Sequence, residues 1–220
     1  MKAKALARGS PLVKCMTLGV VLLSFALALA LYPQMPDTMA SHWNGAGDVN
    51  GYMSKLWGLF LMPVMGLGLW LLFLAVPRMD PLKANVLQFQ THFDRFILAI
   101  EAFLLYIYAL TLLWSVGTRF NMIQAMVLPL GALFFYVGVL IGHTKRNWFI
   151  GIRTPWTLSS DRVWDDTHRI GAKLFKVSGL IALIGFLLPE YAILFILIPV
   201  IATAIISIAY SYVDFRKHAR

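Results

Sequence analysis

The chain is poor in charge, in acids and in cysteine. Charged residues make up 13% of its 220 residues, and only 10 of them are acidic against 19 basic. An ordinary globular domain carries about 25% charge and about 45–50% apolar residues, whereas 60% of this chain is hydrophobic. A small soluble fold leaves about a third of its surface wet and cannot hide that much apolar area. The single cysteine, Cys15, excludes an intrachain disulfide and a multi-cysteine zinc site. There is no His-Glu-x-x-His helix, no Gly-x-Ser-x-Gly elbow and no phosphate-binding glycine loop, which argues against an enzyme. No alternating ten-residue segment suggests a transmembrane strand.

What remains is a set of long apolar runs. Crossing a ~30 Å hydrocarbon core takes about 20 residues in a helix. Six runs qualify, at 14–32, 56–77, 95–116, 122–143, 172–189 and 191–212. The expected fold is an all-α integral membrane protein, a single six-span bundle over residues 1–220. Of the 19 basic residues, only Lys55 and Arg119 fall in alternate loops, and the other 17 lie on the opposite side. The positive-inside rule then makes both termini cytoplasmic in the cell membrane and the 33–55 loop extracytoplasmic. The same asymmetry accounts for the net charge of +9 without nucleic acid. Residues 1–31 also have the order of a signal peptide, basic and then apolar with small residues near Ala26 and Ala28; cleavage there would leave five spans. Pro63, Pro129 and Pro199 recur in the even-numbered spans and suggest three helical hairpins with kinked second helices, although proline is common in membrane helices.

Three regions carry chemistry. In the first outside loop, Pro33 and Pro36 stop the first helix, and Gly45, Gly47 and Asn50-Gly51 form turns. His42, Trp43, Asn44, Asp48 and Lys55 are candidates to face a ligand; the alternative is that these side chains only tie up backbone groups. One histidine with one carboxylate makes no metal site, and no cofactor is expected. Glu101 is the one acid deep in a span. It shares a helix face with Asp94 and Tyr108, and His143 and Lys145 are its expected partners. A transporter or proton-coupled channel built on Glu101 with His143 as relay is therefore an alternative function. His42, His92, His143 and His168 fall at different sides or depths, so convergence is not expected.

Asp80-Pro81 starts an amphipathic helix that runs along the inner surface into the third span. The 144–171 loop holds the third region. Gly151 and Pro155 make it irregular, and Ser159 or Ser160 caps a helix that places Trp164, His168, Gly171 and Phe175 on one face. Asp165 and Arg169 are spaced to pair. Asn147, Arg153, Thr154, Trp156, Trp164, His168 and Arg169 form a candidate docking surface; interfacial anchoring to lipid is the alternative.

These stretches resemble the SdpI-type immunity protein family. Pro33, Pro36, His42-Trp43-Asn44, Gly47, Gly51 and Lys55 are similar to its N-terminal DUF1648-like loop. Pro77-Arg78-Met79-Asp80-Pro81 with Asn85 resembles the segment before its third span. Asn147, Ile150-Gly151-Ile152-Arg153-Thr154-Pro155-Trp156-Thr157, Trp164 and Thr167-His168-Arg169 resemble its C-terminal signature. The resemblance implies a non-enzymatic multi-pass membrane protein with three partners: the lipid bilayer, a membrane-active peptide toxin outside and a transcriptional repressor held inside.

Overall fold

The computed structural model describes residues 9–218. Six helices are long and apolar enough to cross a membrane. They are α1 (Pro11–Leu31), α2 (Lys55–Met79), α4 (Gln90–Ser115), α5 (Met122–Ile141), α7 (Asp161–Leu187) and α8 (Ala192–His218). Two short helices, α3 (Lys83–Gln88) and α6 (Pro155–Ser159), lie between them. Lipid leaves backbone groups no solvent partner, so each crossing must satisfy its own hydrogen bonds as a helix. Their lipid-facing sides stay apolar: Leu29, Leu72, Leu187 and Ile205 are all exposed.

The packing regroups the consecutive hairpins suggested by the prolines. α1, α2 and α4 enclose one core, in which Ala28, Met35, Met39, Leu59, Tyr108 and Leu112 are buried together. α5, α7 and α8 enclose another around Val127, Ala182, Ala192 and Ile196. The most extensive helix contact joins α5 to α7. A Cβ at Gly131 would collide with the Gly179 carbonyl and one at Gly179 with that of Gly131, so these two backbones touch. Small residues allow this approach, which substitutes for the hydrophobic drive that lipid removes. Pro63, Pro129 and Pro199 all sit inside helices, and Ser178 of α7 donates to the Pro199 carbonyl at 3.0 Å.

Two local expectations change. The loop after α1 contains a β-hairpin, β1 (Thr38–Trp43) antiparallel to β2 (Val49–Ser54), with bulges around His42. Met39 is fully buried and packs against Gly58 of α2, which seats the hairpin on the bundle. The expected surface helix from Asp80 into the third span is broken: α3 ends at Gln88, and Phe89 (φ −116°, ψ 14°) turns the chain before α4. Val86, Phe89, Phe93 and Leu140 bury together at this corner, so the break lets two faces reach one core.

Candidate functional site

The 144–160 loop folds as an interlocked block at the end of the bundle opposite the hairpin. Asn147 is fully buried and spends its whole amide on the loop. Its Nδ2 donates to the Lys145 and Ile150 carbonyls (both 2.8 Å), and its Oδ1 accepts from Phe149 (2.9 Å) and Ile150 (2.7 Å). Thr154 precedes proline, is extended, and caps α6 through a reciprocal pair with Thr157. The Thr154 hydroxyl also meets Ser211 of α8 at 3.1 Å. Ser160, the second of the two expected caps, starts α7.

Trp164 and His168 fill the centre of the block. Trp164 is fully buried, donates from Nε1 to the Thr144 carbonyl (3.2 Å) and stacks on His168 at 4.0 Å. The Ile152 N–H donates to His168 Nε2 (2.9 Å), so Nε2 is bare and Nδ1 carries the proton, given to the Trp164 carbonyl (2.8 Å). The ring is thus a neutral strut between α7 and the loop. Gly151 has φ +122°, and a Cβ there would strike His168 Nε2. Gly151→Ala should therefore cost about 1–3 kcal/mol from backbone strain alone, plus displacement of the ring. Gly68→Ala, with open space around it, is the control, and equal thermal midpoints for the two variants would refute the account.

The loop before α3 is part of the same block. Asp80 is 2% exposed. Its Oδ1 accepts from Leu82 (2.7 Å) and its Oδ2 from the Trp148 N–H (2.8 Å), and Asn85 donates to the Arg146 carbonyl (2.8 Å). Sequence reasoning read Asp80 as a cap only and missed its second partner, 68 residues away.

Buried Asn147, Thr154, Trp164 and His168 therefore hold the block from inside, and do not present a surface as expected. Arg153 is exposed, with Nη1 on the Trp148 carbonyl (2.6 Å), and Trp156 leans on Tyr212 at 5.0 Å. The expected Asp165–Arg169 pair does not form. Asp165 takes Lys145 at 3.2 Å, and Arg169 takes Asp166. The tertiary neighbour replaces a local pair worth only a few tenths of a kcal/mol.

At the other end, Asn44 ties the hairpin turn, its Oδ1 accepting from Ala46 (3.0 Å) and Asp48 (2.9 Å). His42 is exposed and hydrogen-bonds Asn50; Asp48 is exposed, and Lys55 pairs with Asp37 at 3.4 Å. Trp43 meets Trp114 edge-on at 6.0 Å, and Asn121 of the α4–α5 loop donates to the Ala46 carbonyl at 3.1 Å.

Asp94, Glu101 and Tyr108 share the buried face of α4 as expected. Glu101, however, points into a small space with Ser24, Met62, Gly66 and Tyr108, toward α1 and α2. It meets neither expected partner: Lys145 is paired with Asp165, and His143 stacks on His92 at 3.8 Å. That stack also corrects the expectation that the histidines stay apart. α4 and α5 are antiparallel neighbours, which brings their ends at this surface together.

Immunity protein SdpI of Bacillus subtilis (strain 168) is 32% identical over 200 residues, covering 90% of this chain and 93% of that protein. The chain belongs to the SdpI family. The SdpI/YfhL family model matches residues 143–211, and a domain of unknown function, DUF1648, matches 19–67. No solved structure matches. The SdpI match contains both ends of the Thr154–Ser211 bond and the whole Trp164–His168 stack. The DUF1648 match covers most of α1, the hairpin and the first half of α2. The DUF1648 match thus lies at the hairpin end of the bundle, and the SdpI match takes in the signature block together with α7 and most of α8. Asp80 and Asn85 fall between them, yet they pin the second to the bundle.

Proposed function

We propose that this SdpI-family protein is a non-enzymatic immunity protein of the cell membrane that protects against a membrane-active peptide. The observation that carries the reading is the extent of the likeness to the Bacillus subtilis immunity protein, which runs through 90% of the chain and so includes both the hairpin end and the signature block. The distribution of basic residues favours an outward hairpin. There, exposed His42, Asp48 and Tyr52 are free to meet a peptide. The opposite surface offers Arg153, Trp148 and Arg169 to a cytosolic repressor. Linking the two ends requires two global states with different affinities for each partner.

The test is expression in a Bacillus subtilis strain that makes the peptide but lacks its own immunity protein. Survival is expected, and death with the protein present in the membrane would overturn the reading. Glu101→Gln separates immunity from proton-coupled transport. The substitution removes a titrating group while keeping its shape, so protection should persist. Loss of protection by a folded, membrane-inserted Glu101→Gln protein would instead favour the transport alternative.

A further inference from the structure

The hairpin leaves one sheet edge open. The sheet has only two strands, so each has one side with no strand along it. β1 packs on α2 and α4, and Ala40 is buried. β2 packs on β1 and on α2, the helix it leads into. Along β2, Tyr52 is 66% exposed, and Asn50 and Ser54 are exposed at the alternate positions.

The hydrogen-bond spacing fixes which groups face that edge. Just beyond the strands, the Lys55 N–H donates to the Asp37 carbonyl at 2.8 Å. Antiparallel pairs alternate between those that exchange both bonds and those that exchange none. Thr38–Ser54, Met39–Met53 and Ala40–Tyr52 follow in register, so Met39–Met53 is the exchanging pair. Tyr52 and Ser54 therefore turn their N–H groups away from β1, and Tyr52 turns its carbonyl the same way. Edge strands are normally blunted by charge, proline or a bulge, because unpaired groups recruit another strand. Val49–Ser54 carries no charge and no proline. The bulges lie around His42, toward the turn, and leave Tyr52–Ser54 regularly paired. Leu56 and Trp57, both exposed, follow directly at the start of α2, as suits a strand that ends at the membrane boundary.

We propose that the outer edge of β2 takes an extended segment of the membrane-active peptide as a third strand. The inference rests on the immunity reading and its outward hairpin, and names how that hairpin meets the peptide. A peptide entering a membrane leaves the water that satisfied its backbone, so a free row of N–H and carbonyl groups at that boundary is a favourable partner. A second copy of the chain is a poorer occupant. The regular open run is only Tyr52–Ser54, between the bulges and α2. That is too short to supply the roughly 1,200 Å² that a specific protein interface buries, whereas lipid already holds a membrane-active peptide at this depth.

Ser54→Pro tests the edge with little strain. Ser54 has φ −64°, the angle that proline fixes, and its side chain makes no cap hydrogen bond. The substitution deletes one outward N–H and spares the β1–β2 bonds. The full-length protein in nanodiscs is exposed to the peptide secreted by the producing strain. In the wild type, the Tyr52 and Ser54 amides should gain protection from hydrogen exchange, and Met53, already bonded inward, should change little. Ser54→Pro should bind the peptide at least roughly fivefold more weakly than Ser54→Ala, which keeps the N–H. The peptide dose that cells survive should fall with it. If Ser54→Pro does not fold, Tyr52→Pro deletes the neighbouring outward N–H and serves instead. No gain of protection at Tyr52 and Ser54, or equal binding by folded Ser54→Pro and Ser54→Ala, overturns the proposal and leaves the immunity reading standing as long as the wild type protects. Protection of these amides without peptide, rising with protein density, would assign the edge to a second copy and overturns it too. Death of cells carrying the wild type removes the immunity reading and this one with it.

Discussion

Trp164→Ala should destabilise the protein by about 3–5 kcal/mol, the usual cost of deleting a buried tryptophan. The residue is fully buried, so truncation opens a cavity that its neighbours cannot fill. It also removes the donor to the Thr144 carbonyl and the face on which His168 stacks. His168 is then less constrained to accept from Ile152, and the 144–160 loop loses its central support. In a protein of this size the thermal midpoint should fall by roughly 10 °C or more. Trp164→Phe keeps most of the volume and loses the hydrogen bond, so it should cost only about 1–2 kcal/mol. Trp148→Ala should be nearly neutral, because Trp148 is 51% exposed. A midpoint for Trp164→Ala within two or three degrees of the wild type, roughly 1 kcal/mol at this size, would show that the stack is dispensable.

Asp80→Ala should have the next largest effect, about 2–5 kcal/mol, from two backbone N–H groups left without their acceptor. One belongs to Leu82 beside it and the other to Trp148 in the signature block. The change both frays the entry to α3 and unfastens the block from the first half of the bundle. Hydrogen exchange is the direct readout: the Leu82 and Trp148 amides should lose protection together. Asp80→Asn keeps one acceptor oxygen and should release only one of the two amides. Unchanged protection at Trp148 in Asp80→Ala would mean that some other contact holds the two halves together.

The six crossings were legible because lipid permits few structures. A long apolar run has to become a helix, and the helices observed fall where the runs are, as with 14–32 against Pro11–Leu31. α7 starts at Asp161, directly after the expected cap Ser160, and runs on into the span expected from 172, because a helix continues past the bilayer edge as long as its cap and pattern allow. The hairpin was not legible. Thr38–Trp43 and Val49–Ser54 are six residues each, their pairing is interrupted by bulges around His42, and Met39 of the first strand anchors them on Gly58 of α2, a contact between segments that no local pattern announces.

By itself the sequence determined the number of crossings, the asymmetry of charge and the shared face of Asp94, Glu101 and Tyr108, since each follows from composition or from the 3.6-residue period along one helix. Only the tertiary structure decided which helix that face meets, that Asp165 takes Lys145, that His143 lies on His92, and that Asp80 reaches Trp148. Those are contacts between segments far apart in the chain. Helical periodicity says which way a side chain turns around its own axis, and it carries no information on what stands opposite.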